Sequence, residues 1–293
     1  MRVRQLVRAG LATTLAFAAG MAGAQTPSPL PEWTYSSGML LRNHFGGDQL
    51  PKWDFNVGLA GEFQPKYDGS QDYRIQGGPN FDIRYRNIAF LATGEGLGWN
   101  IIHSSNARAG LAITYDLGRS DVSSSVEYNH GVAYRERPVG SVNPGPEVKA
   151  FGEYLFFPID KLPLTVRADV RRAIGGYNGW VADFAAYMPV VGSEKFFVFI
   201  GPAITFADKN YMQNYFGVTS EQSTESSYPI YTPEGGVKEI SFGTSATWFF
   251  TKHWYTNVTA SAAHLVDDAA NSPTTEEKIQ GAVSLDLGYS WHH

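Results

Sequence analysis

The 293-residue chain has no cysteine. That absence removes disulfides, thiolate nucleophiles and Cys-ligated metals together. Past the first two dozen residues, no uncharged apolar run approaches the length of a helical membrane span, so that class is excluded as well. Charge is sparse, at 17% Asp, Glu, Lys and Arg, and no Lys/Arg block stands out. Nothing here would neutralise a phosphate backbone, and nucleic acid is not an expected partner. Long amphipathic helices of Ala, Leu, Glu and Lys are missing, which argues against a soluble α/β enzyme. No paired-His spacing suggests zinc and no Asp-rich turn follows a calcium-loop pattern, so neither metal nor cofactor is expected.

What is present begins at the N-terminus. Arg2, Arg4 and Arg8 precede an apolar stretch from Ala9 to Met21, and Ala22-Gly23-Ala24 stand just before Gln25. This is the layout of a secretory signal peptide, so residues 1–24 are set aside from fold reasoning. Without those three arginines, 20 basic residues face 28 acidic ones, a formal net charge of −8. Aromatics reach 14% and glycine numbers 31, yet mean hydropathy is only −0.23. A chain rich in Tyr, Phe and Gly but polar on average fits strands with only one face in lipid.

Period-two alternation runs through most of the remaining sequence. Phe55, Val57, Leu59 and Phe63 oppose Asp54, Asn56 and Glu62. Phe81, Ile83 and Tyr85 alternate with Asp82, Arg84 and Arg86. Ala107, Ala109, Leu111, Ile113 and Tyr115 alternate with Arg108, Gly110, Ala112, Thr114 and Asp116. Leu164, Val166, Ala168 and Val170 face away from Thr165, Arg167, Asp169 and Arg171, a split that a helix would scatter around its axis. With weaker candidates near 88–96, 123–135, 147–157 and 195–206, the pattern predicts a closed antiparallel transmembrane β-barrel of about 12 strands, with 10 to 14 allowed. The last strand alternates Val283, Leu285, Leu287, Tyr289 and Trp291 with small or polar residues. Outer-membrane barrels commonly end this way, and Tyr289 and Trp291 are the expected signal to the barrel-assembly machinery. The expected division is a signal peptide over 1–24, a periplasmic leader over 25–50 and a barrel over 51–291, with a long polar loop near 208–237. That loop is either a surface loop or a constriction folded into the lumen. The expected location is the outer membrane of a Gram-negative cell, in contact with lipid and lipopolysaccharide.

Two constellations could carry chemistry. The polar strand faces place Arg84, Arg86, Arg108, Arg167 and Arg171 with Asp116, Asp169 and Asp183. If these faces point inward they either pack the barrel as ion pairs, since buried charges need partners, or line a narrow porin-like channel for small solutes. The second constellation is His103-Ser104-Ser105-Asn106. It resembles the short motif of lipid A 3-O-deacylases, in which a His activates a Ser two residues on, along one strand face. There Asp116 would be the orienting acid. A polar turn between strands is the competing reading of the same four residues.

The order and spacing of several loop motifs resemble a known family. These are Tyr67-Asp68-Gly69-Ser70 with Tyr73, Leu117-Gly118-Arg119, Tyr211 with Tyr215-Phe216-Gly217-Val218-Thr219, then Tyr231 and Gly235-Gly236, and finally Asp267-Asp268 with Asn271-Ser272-Pro273. Together they resemble the MltA-interacting protein family, MipA/OmpV, over most of the chain past the signal peptide. The resemblance implies an outer-membrane barrel, and a non-enzymatic scaffold that ties a lytic murein transglycosylase to a murein synthase. Porin-like relatives keep the channel reading open.

Overall fold

The fold is taken from a computed structural model of the chain. It describes residues 40, 41, 44, 51–119, 126–129, 132–135, 140–159, 162–193, 195–226 and 228–292. The signal peptide and nearly all of the 25–50 leader lie outside the described residues.

Twelve strands close into one antiparallel barrel: β1 (Trp53–Pro65), β2 (Tyr73–Tyr85), β3 (Ala89–Ala92), β4 (Gly96–His103), β5 (Ala107–Asp116), β8 (Gly145–Ile159), β9 (Leu162–Ala173), β10 (Trp180–Gly192), β11 (Phe196–Ala207), β12 (Gly236–Phe249), β13 (Trp254–Leu265) and β14 (Ile279–His292). Closure joins the first strand to the last, with Phe55 opposite Trp291 and Phe63 opposite Val283. Two further strands, β6 (Val126–Asn129) and β7 (Val132–Arg135), pair only with each other. Of the alternation near 123–135, the described residues form this separate pair and are not among the twelve strands of the wall. The expected count of twelve is reached because 88–96 divides into β3 and the start of β4.

The alternation decides which face meets lipid. Leu59, Ile75, Ile113, Phe242 and Leu285 are exposed on the outer surface, while Asp82, Arg84, Arg108, Asp169 and Asp183 on the opposite face are buried. Among the described residues, no helix is long and apolar enough to cross a membrane; the crossing is by strands. One end of the barrel carries the start of β1, the end of β14 and short connections. The turn from β2 to β3 has Arg86 and Asn87 at φ 48° and 53°, with Ile88 N–H donating to Tyr85 O at 2.8 Å. Positive φ at both central residues is the two-residue hairpin geometry that matches strand twist. The other end carries the long connections, including helices α1 (Lys209–Phe216), α2 (Ser220–Ser226) and α3 (Asp267–Asn271). In outer-membrane barrels the short turns face the periplasm and the long loops face outward. The leader's His44 lies at the short-turn end, with Nδ1 3.0 Å from Asn106 Oδ1.

One close approach inside the barrel depends on a missing side chain. A Cβ on Gly98 would fall 2.2 Å from Cζ of Phe90. Glycine here lets the ring lie against the wall and point its faces at the lumen cations. Gly98→Val should therefore lower thermal stability by about 1–3 kcal/mol through overpacking, read as a drop in Tm of the folded barrel. An unchanged Tm would mean that Phe90 has room to move aside.

Candidate functional site

The lumen is filled by charge. Glu95, in the turn between β3 and β4, is buried and receives three guanidinium groups, from Arg84 at 2.6 Å, Arg108 at 3.0 Å and Arg167 at 3.1 Å. Glu153 on β8 lies 3.5 Å from Arg108 and pairs with Arg167 as well. Arg84 also meets Asp82 at 2.8 Å, and Arg167 meets Asp169 at 3.4 Å. From there the chain of charge continues upward: Arg171 bridges Asp169 at 3.8 Å to Asp183 at 2.8 Å, and Thr205 donates to Asp183 at 2.5 Å. Lys149 is buried alongside these arginines. Phe90 and Phe151 meet edge to face and hold the Arg108 guanidinium between them, 4.8 and 4.7 Å from their centroids. A guanidinium is weakly hydrated and presents flat faces to rings and a fork of donors to carboxylates, which suits this packing better than lysine would.

Above this network, the outer mouth is closed by a lid. Helix α1 buries Tyr211, Met212, Tyr215 and Phe216 against Val142, Tyr177, Leu265 and Ala269. Both of its ends are capped. Asp208 caps the first turn by accepting from Tyr211 N–H at 2.8 Å. At the other end, Gly217 N–H donates to Met212 O and Gln213 O. Arg119 donates to Asn214 O at 3.3 Å and Tyr215 O at 2.6 Å, and Ser272 Oγ donates to Phe216 O at 2.6 Å. These are the carbonyls that a helix C-terminus leaves without intrahelical donors. Tyr215 Oη donates to Asp116 at 2.6 Å. Burial first, and Asp116 next, push that hydroxyl far above the ordinary phenol range, so it remains a donor at any physiological pH. Below the helix, Lys238 pairs with Asp68 at 2.9 Å.

The loop motifs converge on this lid although they lie far apart in the chain. Asp68 anchors Lys238, and Gly69 receives Gln280 Oε1 on its N–H at 2.9 Å. Tyr67, Val218 and Tyr228 form a second small cluster, with Tyr231 against it. Tyr231 Oη reaches Asp268 O at 2.9 Å. The 208–237 segment is thus a lid seated in the mouth, and the ion pairs below it come from the wall and from the β3–β4 turn.

The residues singled out from sequence are distributed as follows. Arg84, Arg108, Arg167, Asp169 and Asp183 are buried in the network, and Arg171 is partly so. Arg86 is not: it occupies the two-residue β2–β3 turn, exposed, with its guanidinium 5.5 Å from the Tyr85 ring. The turn geometry takes Arg86 out of the alternation that its neighbours obey. Asp116 lies at the outer end of β5 under the lid rather than deep in the lumen. His103 and Ser105 are exposed at the opposite end, where Ser105 Oγ bonds Asn106 at 2.8 Å. The ten residues of β5 separate them from Asp116, about 30 Å at strand rise. The three do not form a catalytic group, and 104–106 is a turn. Tyr289 packs on Trp254 at 5.2 Å, and Trp291 stacks on Phe55 at 4.9 Å, across the seam that closes the barrel. Among the described residues, no three potential metal ligands converge. Glu95, Glu153 and Lys149 were not singled out from sequence, and Arg119 only as part of the Leu117-Gly118-Arg119 motif, although Glu95, Glu153 and Arg119 hold the two closures together.

A search of curated proteins finds no match. Among solved structures, the chain is similar to the translocator domain of autotransporter NalP from Neisseria meningitidis, at 13% identity over 90% of this chain and 97% of that one, TM-score 0.38. It is also similar to the CymD monoaromatic hydrocarbon channel, at 10% identity over 88% and 93%, TM-score 0.38. A third is outer-membrane expressed OmpT of Vibrio cholerae, at 9% identity over 82% and 97%, TM-score 0.33. The sequence model of the family described as MltA-interacting protein MipA matches residues 57–291. The chain is an outer-membrane β-barrel protein and belongs to the MltA-interacting protein MipA family.

Proposed function

We propose that this barrel is a non-enzymatic outer-membrane scaffold that holds murein-processing enzymes, a lytic transglycosylase together with a synthase, at its periplasmic end. The observation that carries the reading is the double closure: charge packs the lumen around Glu95, and α1 seals the outer mouth. A barrel filled in this way supports anchoring better than conduction. The family's own description names MltA as interacting partner, which we take to be a lytic murein transglycosylase, and murein lies on the side of the short turns. The docking face is therefore the end that presents Arg86, the 104–106 turn and His44.

Two measurements test this. The mature barrel, immobilised in detergent, should retain a purified lytic murein transglycosylase and a murein synthase together; failure to retain either one overturns the scaffold. In planar bilayers it should show no unitary steps above the bare membrane, whereas reproducible ohmic steps would favour the small-solute channel.

A further inference from the structure

Among the described residues, strand pairing does not run the full height of the barrel all the way round. Strand β3 has only four residues and meets β2 only from Asp82 to Tyr85. Strand β4 begins at Gly96, opposite the last turn of β5 near Ile113. The outer stretch of β2, from Tyr73 to Phe81, pairs with β1 on one side, and among the described residues no strand pairs with its other side. Phe81 shows which backbone groups face that gap. Its N–H and C=O both meet Thr93, on the side away from β1. In an antiparallel ladder the hydrogen-bonding side alternates with each residue, so Ile75, Gly77 and Pro79 present their backbone groups to the same gap. Pro79 has no N–H to offer, and proline is confined to strand edges for that reason. It also blunts the edge against pairing with a foreign strand.

Behind the edge lies a cavity of about 260 Å³. It is lined by inward-facing Gln76 and Asn80 and by outward-facing Gly77, Pro79 and Phe81, so it passes around the strand edge and through the wall. Its floor is the Thr93–Glu95 turn. Among its lining residues are the carboxylates of Glu62, Asp82, Glu95 and Asp286, and no Lys, Arg or His. Asn80 donates to Asp286 at 2.7 Å, while Glu62 Oε1 is buried with no hydrogen-bond partner among the described residues. Outside the gap the surface is apolar, with Ile75 82% exposed and Leu97, Ile113 and Tyr115 also exposed.

We propose that this notch is a lateral binding site for an amphiphile whose uncharged, hydroxyl-rich head enters the cavity while its alkyl chain stays on the apolar surface outside. Carboxylate and amide groups accept from and donate to hydroxyls; Asp82 and Glu95 are already paired with arginines, while Glu62 and Asp286 present carboxylates to a lining that has no Lys, Arg or His to hold a phosphate head. The volume lies just under the roughly 300–1,000 Å³ of pockets that enclose whole small ligands, so it takes a head group and leaves the tail in lipid. This reading is independent of the scaffold role.

The test uses the mature barrel in an oligo-oxyethylene detergent and two probes with the same tail, dodecyl β-D-glucoside and dodecyl phosphate, with adducts counted by native mass spectrometry. The glucoside is expected to be retained and the phosphate not. Glu62→Ala removes a hydroxyl acceptor, and Thr93→Trp fills the floor of the gap. Each should weaken retention of the glucoside about tenfold or more, the cost of a lost charge-assisted hydrogen bond, with the barrel's circular dichroism unchanged. Amide exchange at Ile75 and Gly77 should be fast in the free protein and slow with the glucoside bound. Equal retention of both probes, wild-type retention by both variants, or slow exchange at Ile75 and Gly77 without any probe would each overturn the proposal, the last because it would mean that another strand already covers the edge.

Discussion

Glu95→Ala should lower the stability of this barrel by about 3–5 kcal/mol, the range for removing one partner of a buried ion pair. The carboxylate is shared by Arg84, Arg108 and Arg167. After its removal Arg84 keeps Asp82 and Arg167 keeps Glu153 and Asp169, but Arg108 keeps only its 3.5 Å contact with Glu153. The Arg108 guanidinium then loses its principal counter-charge in a space from which water is largely excluded. Glu95→Gln should fall in between, because the amide still accepts hydrogen bonds without supplying charge. A lipid-facing control such as Leu59→Ala should change little, since Leu59 is 71% exposed on the outer surface. The measurement is the urea midpoint of refolded protein in lipid vesicles. A loss for Glu95→Ala no larger than that of Leu59→Ala would mean that the network holds without its shared acceptor.

The second large effect is local. Arg119→Ala strips the donors from Asn214 O, Tyr215 O and Gly140 O. Hydrogen bonds to a charged donor each contribute about 1.5–3 kcal/mol, and the buried carbonyls left behind add a penalty. The helix C-terminus would then favour release from the mouth, while the strand pairing of the wall is kept. Trypsin should cut after Lys209 at least about tenfold faster than in the parent, because cleavage follows the population of the locally open form. The strand signal in circular dichroism should not change. Conductance should stay silent too, because the ion pairs beneath the lid are a separate obstruction. Global unfolding of Arg119→Ala, or unitary steps appearing on lid release alone, would show that the closures are not independent.

The wall of this protein was readable in its sequence because lipid imposes a two-residue period. Leu164 through Arg171 could be split by face without any structure, and the split held. The interior was less legible. Glu95 sits in Thr93-Gly94-Glu95-Gly96, which has the composition of a solvated turn, and no local pattern says that this turn folds inward. Arg86 failed for the opposite reason, since alternation stops where a hairpin turn begins. The lid was visible only as scattered short motifs. Residues near 68, 119, 215 and 268 carry no periodicity that links them, and they meet because barrel closure brings four loops to one rim.

Closure also sets a timing. Phe55 and Trp291 belong to the first and last strands, and the Glu95–Arg167 contact spans 72 positions of the chain. Such long-range contacts form only after most of the polypeptide is in place. Until then the interior arginines and carboxylates remain hydrated, and an incomplete sheet carries its charges in water rather than in lipid. The expulsion of water from the lumen is therefore concentrated in the final joining of β1 to β14. The same cost stands in reverse against reopening that seam, so the aromatic pair at Phe55 and Trp291 works as a latch on a dry interior rather than as one more contact in the wall.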